Sequence, residues 1–421
     1  MFSMDESSKI SKFYDKSQDE RISLVKNFGN LSHEQVLLLK EMKPLNFETA
    51  NRMIENVIGV FPFPFAVATN FKVNGKDYLI PMALEEPSVV AAASNAAKLS
   101  SGFKAESTAP IMIGQIQLVN VKNFDQAKKK ILENKKALLN ECNGADSILV
   151  KLGGGAKDLE VKELDTERGK MFLVQLLVDV RDAMGANAVN TMSERISSKL
   201  EELSGGETRL RIVSNLAVHR TSKASTTWKK EVLGEEAIER ILDAYAFAAA
   251  DKFRCCTHNK GIMNGIDAVV VATGNDFRAV EAGAHTYASL SGSYKPLTKY
   301  FKDKEGNLAG EIELPLAVGI IGGATRTHPI AQISLQLLKV NSAQELSGII
   351  ASVGLAQNFA ALRALATEGI QKGHMRLHSK NIAVTANVPK ELIDEVSRKM
   401  IEENKINVSR AKEILEEMQK K

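Results

Sequence analysis

The sequence predicts a soluble α+β protein: a large body of mixed helix and sheet, interrupted by a smaller α/β or α+β subdomain and ended by a charged helical tail. Three observations carry that reading. Strand-like and helix-like stretches alternate over roughly a hundred residues from Ala109 onward. Asn74-Gly75, flanked by Val67 to Phe71 and Tyr78 to Ile80, is the strongest short hairpin signal in the chain. From Pro389 to Lys421 charged residues alternate with apolar ones at helical spacing.

Composition bounds the function. At 421 residues the chain is long enough for two or three domains around a large core. Hydrophobic residues at 44% and charged residues at 25% fit a folded enzyme and exclude disorder. The net charge of +4, from 55 basic and 51 acidic residues, is too balanced for a nucleic-acid partner. Cys142, Cys255 and Cys256 are odd in number and lack metal-ligand spacing, which predicts a reducing compartment and no metal. The N-terminal stretch MFSMDESSKISKFYDKSQDER has no apolar core of a signal peptide, and no apolar run reaches 18 residues. Both point to a cytoplasmic protein without a membrane span.

In chain order, residues 1–55 predict amphipathic helices, one opening at Leu31-Ser32-His33-Glu34 with Ser32 as N-cap and another over Phe47 to Ile54. Pro62 and Pro64 mark turns before the hairpin. Glu85 and Glu86 then stand side by side ahead of a helix over Val89 to Leu99. Pro87 at the first helical position, with an acid before it, is ordinary helix-start chemistry and needs no other role. The inserted region predicts a strand over Ile111 to Val121, a Lys-rich helix over Phe124 to Asn140 and a tight turn at Gly153-Gly154-Gly155. A strand over Met171 to Val180, a helix over Ala183 to Leu200 and a strand over Arg209 to Leu216 complete it. Beyond Trp228, the helix Glu235 to Ala250 carries Ile238, Ile241, Leu242 and Tyr245 on one stripe. Asn307 to Gly323 reads as two strand-like pieces, and Ala343 to Gly369 as a helix rich in Ala and Leu. The tail reads as two helices, small, exposed and mobile, with Leu392, Ile393 and Val396 in one and Ala411, Ile414, Leu415 and Met418 in the other.

The chemistry concentrates between Arg254 and His285. Thr257 to Ile266 reads as a loop or helix end, Ala268 to Ala272 as a short buried strand, and Thr273-Gly274-Asn275 as a turn before a helix capped by Asp276. Such an order would bring the Lys260 cation and a carboxylate to one sheet edge, where each shifts the other's pKa. A strand with ordinary turns would read the same way. The Rossmann, P-loop, zinc-protease and serine-hydrolase signatures are all absent. Asp182-Ala183-Met184-Gly185-Ala186-Asn187 ends a strand and opens a helix, so its backbone N–H groups suit a pyrophosphate; a tight strand–helix joint is the plainer explanation. His374, between Gly373 and Met375 just before the tail, suits a group carried onto substrate by closure, although a lone histidine is more often structural.

Six stretches decide between these readings: ENVIG at 55–59, EEPSVVAAAS at 85–94, DVRDAMGANAVNTM at 179–192, THNKGIMNGID at 257–267, ATGNDFRAVEAGAH at 272–285 and ATEGIQKGHMRLHSKNIA at 366–383. In this order, through nearly the whole chain, they resemble 3-hydroxy-3-methylglutaryl-coenzyme A (HMG-CoA) reductases of the class II form of bacteria and archaea. The resemblance implies a four-electron interconversion of HMG-CoA with mevalonate and CoA, using two NAD(P)H, in the mevalonate route to isoprenoids. Glu86 then matches the glutamate that donates a proton near the thioester carbonyl, a role for which its pKa should be raised. Lys260 matches the lysine whose ammonium stabilises the developing oxyanion. Asp276 matches the aspartate that holds lysine and glutamate in one network, and His374 the histidine that protonates the departing CoA thiolate.

By the same resemblance Arg254, Ser88 and Asn264 would hold the HMG carboxylate and hydroxyl, the arginine through its planar fork. Asp182, Met184, Gly185 and Asn187 match the nicotinamide-binding segment, and Asn215 follows a strand facing the same cleft. Asp146 lines up with an aspartate beside the adenosine ribose of an NADH-using member; a carboxylate there repels a 2′-phosphate, which leans the choice to NADH over NADPH. Two departures stand out. Tyr14 replaces an arginine that some members offer to the CoA phosphates, and Lys380 stands where an arginine is common, keeping charge but losing the fork. The implied architecture is a large HMG-CoA-binding and dimerisation domain (1–108 and 217–375), a small ferredoxin-like, non-Rossmann NAD(P)-binding domain (109–216) and a C-terminal helical flap (376–421). It also implies a homodimer with shared active sites that can assemble into hexamers. Two competing functions remain on this reading: a silent CoA-thioester binding protein of the same fold, and an acyl-CoA lyase or thiolase using Cys255 or Cys256. The same enzyme could also run in the mevalonate-degrading direction.

Overall fold

The computed structural model describes residues 7–43, 45–367 and 379–419. Helices α1 (Gln18–Gly29) and α2 (His33–Glu41) each open on a serine capping box, Ser17 with Glu20 and Ser32 with Gln35, which satisfies the first orphan amides. After α3 (Phe47–Met53) the chain bends at 54–56 and runs without regular structure through the proline region, where the turns expected at Pro62 and Pro64 are not formed. It then forms the hairpin of β1 (Phe65–Val73) and β2 (Lys76–Ala83), turning at Asn74-Gly75 as the dipeptide predicts. Helix α4 (Val89–Leu99) follows; Pro87 lies two residues ahead of it, and Ser88 is the N-cap.

The largest core gathers around two long helices. Helix α12 (Lys252–Ala272) lies against β2, α4, α11 (Glu235–Ala250), α13 (Phe277–Tyr287), α15 (Pro329–Leu338) and α16 (Ala343–Ala366). The expected strand at Ala268 to Ala272 is therefore the last turn and a half of a helix. Its valines prefer strands in isolation, but here burial on nearly every side decides the conformation, since Ile262, Met263, Ile266, Val269 and Val270 are all buried. By length and apolar composition α16 could cross a bilayer, yet it is packed inside this core. Beside it lies an antiparallel sheet in the order β3-β8-β10-β9, made of β3 (Lys104–Ser107), β8 (Thr221–Trp228), β9 (Thr298–Lys302) and β10 (Leu308–Pro315). Trp228 ends β8 stacked on Phe359 of α16 at 3.9 Å, and its indole N–H donates to the Ala96 carbonyl. Of the two strand-like pieces expected between Asn307 and Gly323, only β10 is a strand; the second runs on as loop.

Between β3 and β8 the chain builds a second sheet with its own core. Its strands are β4 (Ile111–Val119), β5 (Gly155–Thr166), β6 (Gly169–Asp179) and β7 (Glu207–Ser214), antiparallel in the order β5-β6-β4-β7. Helices α5 (Phe124–Glu133), α6 (Lys135–Asn143), α8 (Ala186–Arg195) and α9 (Ser197–Ser204) cover the face that presents Met112, Ile116, Phe172 and Val174. This βαββαβ sequence with its split strand order is the ferredoxin-like arrangement, and it has no parallel Rossmann core. The single helices expected over Phe124 to Asn140 and Ala183 to Leu200 are each broken, at Asn134 and Ile196. The tail, expected to be merely exposed, has a small core of Ala383, Val396, Met400, Ala411 and Ile414. It joins a helical stretch at 379–385 to helices over Ile393–Glu402 and Val408–Gln419.

Gly265 sets the approach of α12 to α16. A Cβ there would lie 2.8 Å from Gln357 Cβ and 3.2 Å from Val353 Cγ1, closer than side chains tolerate. Gly265→Val is expected to destabilise the protein by about 1–3 kcal/mol through overpacking. Denaturant unfolding checks this, and an unchanged midpoint would show that the two helices are not in close contact.

Candidate active site

Helix α12 begins at Asp251, whose carboxylate accepts the Arg254 backbone N–H at 2.7 Å, and then runs unbroken past the catalytic candidates. Lys260, Asn264 and Asp267, spaced four and three apart, share the face opposite the buried apolar stripe. Glu86 reaches that face from the turn between β2 and α4. Ser88 holds this turn with φ at +74°, in the left-handed region that non-glycine residues rarely adopt. The Lys260 ammonium donates to Glu86 Oε2 at 2.7 Å, and the Asn264 amide donates to Glu86 Oε1 at 3.1 Å. Lys260 is 60% exposed and Glu86 36%, so this ion pair adds little to stability and stays open to a ligand. The cation and the carboxylate meet from a helix and a turn, not from the expected sheet edge.

Burial sets the state of the other candidates on and after this helix. Arg254 is half-buried, and burial lowers its pKa against the pull of Cys255. The Cys255 thiol is buried and pushed up to about 11, so it is no ready thiolate at neutral pH, which counts against a cysteine nucleophile there. His258 is pushed down to about 3, by burial first and then by Arg254; its Nε2 lies 2.6 Å from Thr298 Oγ1, and it is a neutral core residue. Asp276 caps α13, accepting the Arg278 and Ala279 amides at 3.0 and 3.2 Å and the Arg278 side chain at 3.2 Å. Burial would raise its pKa, but the Arg278 contact and the helix amides outweigh that and leave it lowered. Among the described residues no hydrogen bond or ion pair joins Asp276 to Glu86 or Lys260.

The second group of candidates centres on the loop that follows β6, an inner strand of the smaller sheet. Gly185 opens α8 with φ at +101° and no side-chain cap, leaving the first-turn amides of that helix for a ligand, with Asn187 exposed beside them. Asp182 Oδ1 accepts the Ala343 N–H at 2.8 Å, so this carboxylate ties the loop to α16. Met184 gives its carbonyl to Arg220, and the Asn215 carbonyl accepts from Ala217 close to Gly283. Asp146 caps the short helix Ser147–Lys151 through the Leu149 N–H at 2.9 Å. Lys380 pairs with Asp394 at 2.5 Å, and Tyr14 is exposed. His374 lies outside the described residues. The structure thus joins Glu86, Lys260 and Asn264 in one cluster and gathers Asp182, Met184, Gly185 and Asn187 in another. Sequence reasoning missed Asp267, Asn275 and Arg220. Asp267 alone had a readable signal, its helical spacing from Lys260 and Asn264.

Comparison with known proteins gives this geometry relatives. The family described as hydroxymethylglutaryl-coenzyme A reductase matches residues 17–379. A 3-hydroxy-3-methylglutaryl-coenzyme A reductase of Archaeoglobus fulgidus is 55% identical over 417 residues, 98% of this chain and 95% of its own. A probable reductase of the same name from Borreliella burgdorferi is 36% identical, covering 94% of this chain and 92% of its own. Among solved structures, a Streptococcus pneumoniae 3-hydroxy-3-methylglutaryl-coenzyme A reductase aligns with TM-score 0.83 at 40% identity, over 97% of this chain and 99% of that one. The class II enzyme of that organism, bound to NADPH in open conformations, aligns with TM-score 0.82 at 42% identity, over 85% and 99%.

Asp267 gives the site face a pH signature. Its carboxyl is pushed up to about 9, by burial first and then by the facing carboxyl of Glu281. The unfolded chain ionises it near 3.8, so its contribution to stability is complete below that pH and is lost progressively as pH rises toward 9. Asp267→Asn should therefore raise the melting midpoint more at pH 8 than at pH 5. Equal shifts at both would contradict the burial of a protonated acid at this position.

Proposed function

The chain belongs to the hydroxymethylglutaryl-coenzyme A reductase family, and on that premise we propose how its side chains divide the reaction. It is an NAD(P)H-dependent oxidoreductase of the class II type, interconverting HMG-CoA with mevalonate and CoA. The observation that carries the assignment of roles is the three-way contact of Glu86 with Lys260 and Asn264. A thioester carbonyl turned toward this pair would meet an ammonium within reach of its oxygen. Negative charge that builds there is stabilised by Lys260 without reorganisation, because Glu86 already holds the amine in place. Glu86 accepts from both Lys260 and Asn264 and so stands as a carboxylate; to supply the proton the new hydroxyl needs, it would first take one up from solvent or from the Lys260 ammonium. Asn264 fixes the second carboxylate oxygen, and Arg254 and Ser88 receive the carboxylate and hydroxyl of the HMG group. His374 keeps its assigned role as thiolate proton donor, whereas Asp276, bonded here to the α13 amides and to Arg278, would join the Glu86–Lys260 pair only by giving up the Arg278 contact.

For the nucleotide, the uncapped N-terminus of α8 and the exposed Asn187 suit a pyrophosphate and the ring beside it. Two NAD(P)H molecules bound there in succession would supply one hydride each. Asp182, Met184, Gly185, Asn187 and Asn215 shape that position, and Asp146 disfavours a 2′-phosphate, so NADH is favoured over NADPH in this reading. The body around the smaller sheet, 109–216, would then bind nucleotide, the remainder of 1–375 HMG-CoA, and 376–421 would act as the flap. Dimerisation is supported by the exposed apolar residues Ile54, Ile58, Val60, Phe61 and Phe63 along one short segment; active sites shared between the subunits belong to the same proposal. Residence in the cytoplasm fits the unpaired cysteines.

The test is steady-state oxidation of NADH and of NADPH with HMG-CoA, in parallel with the reverse reaction from mevalonate and CoA. Lys260→Met should lower kcat by about a hundredfold or more in both directions while the circular dichroism spectrum stays unchanged. Full turnover in that variant would remove Lys260 from the chemistry.

A further inference from the structure

The Asp182–Asn187 loop is held from outside its own sheet. Arg220, on the return from β7 to β8, is 5% exposed. One of its terminal nitrogens donates to the carbonyls of Ala183 and Met184 at 3.0 and 3.1 Å, and the other to the carbonyl of Val318. Burying a guanidinium among carbonyls is costly, and burial draws its pKa down to about 10 against the charges of Asp182 and Asp179. In return its rigid fork spans two separate segments, which a lysine cannot do.

The opposite side of the loop is held as closely. Ile320 N–H donates to the Asp182 carbonyl at 2.9 Å, and Ala183 pairs with Ile321 in a parallel bridge. At Gly319 a Cβ would lie 2.6 Å from Met184 N and 2.9 Å from the Ala183 carbonyl carbon, so no larger residue fits against the loop. Asn275 grips Gly319 on both backbone groups: its Oδ1 accepts the Gly319 N–H at 2.7 Å, and its Nδ2 donates to the Gly319 carbonyl at 3.1 Å. Asn275 immediately precedes Asp276. The contacts therefore run without a gap from the Asp276 turn through Gly319 to Met184, with Arg220 closing the far side.

We propose that Arg220, Gly319 and Asn275 are positioning residues that clamp the Asp182–Asn187 loop to the Asp276 turn and so set how the nucleotide meets the substrate cleft. This rests on the reading that the Asp182–Asn187 loop takes the nucleotide. None of the three needs to touch either ligand. The consequence is selective: loosening the clamp weakens nucleotide binding and leaves the Glu86–Lys260–Asn264 cluster intact.

Gly319→Ala is the direct test in the full-length chain, because it pushes on the loop without removing a charge or a polar group. The dissociation constants of NADH and NADPH, read by nucleotide fluorescence, should rise about tenfold or more, while the KM for HMG-CoA stays within about twofold. Arg220→Lys, which keeps the charge and loses the fork, should shift the same constants in the same direction. Asn187→Ala tests the premise separately: if it leaves nucleotide affinity unaltered, the loop is not the nucleotide site. If Asn187→Ala weakens nucleotide binding but Gly319→Ala and Arg220→Lys do not, the clamp is overturned. A parallel rise in the HMG-CoA and nucleotide constants would also overturn it, since that marks a general structural loss.

Discussion

The packing of α12 against α16 governs most of what the rest of the molecule does. Both helices are buried on several sides, and the contact is close because Gly265 and Gly354 offer no Cβ where Gln357 and Ile266 arrive. Close-packed interiors transmit displacement instead of absorbing it, so the height and rotation of α12 are fixed along its length. Lys260 and Asn264 stand on that helix one turn apart, and a rotation of a few degrees would carry both away from Glu86 together. The site's polar contacts are individually weak and solvated. Their geometry is inherited from an apolar core that never touches a ligand.

How much of this was written visibly in the chain varies with the kind of signal. Helices with a clean apolar stripe and ordinary start chemistry were legible to the residue, as at Val89–Leu99 and Glu235–Ala250. Strand β8 was not, because TSKASTTW is mostly polar. Its hydroxyls are absorbed by bonds to residues far away in the sequence, Ser107 with Ser222 and Thr226 with the Gly102 carbonyl, which composition cannot reveal. Strand β5 is charged and half exposed at a sheet edge, so it lacks an apolar run. The valines before Thr273 misled in the other direction, reading as strand where burial on nearly every side favoured a helix.

The site divides along the same line. Lys260 and Asn264 are four apart on one helix, a relation that spacing can show once the helix is recognised. Glu86 lies 174 positions away from Lys260, and only the likeness of its EEPS motif to a known family singled it out. Arg220 had no signal at all: one arginine in a His-Arg-Thr-Ser stretch looks like surface until three carbonyls are found around it. Buried polar groups of this kind are chosen by tertiary geometry, and periodicity carries no trace of it.

The point where the second sheet leaves the first has a bearing on how such a chain could have arisen. Strands β3 and β8 are adjacent and antiparallel, with Ser107 opposite Ser222, and Thr108 and Thr221 bond to each other where the two crossings pass side by side. Remove everything between them and what is left is a hairpin needing only a short connector, its parent sheet unbroken. Topologically the intervening hundred-odd residues are inserted at the turn of a β-hairpin, and the parent sheet draws its strands from both flanking segments.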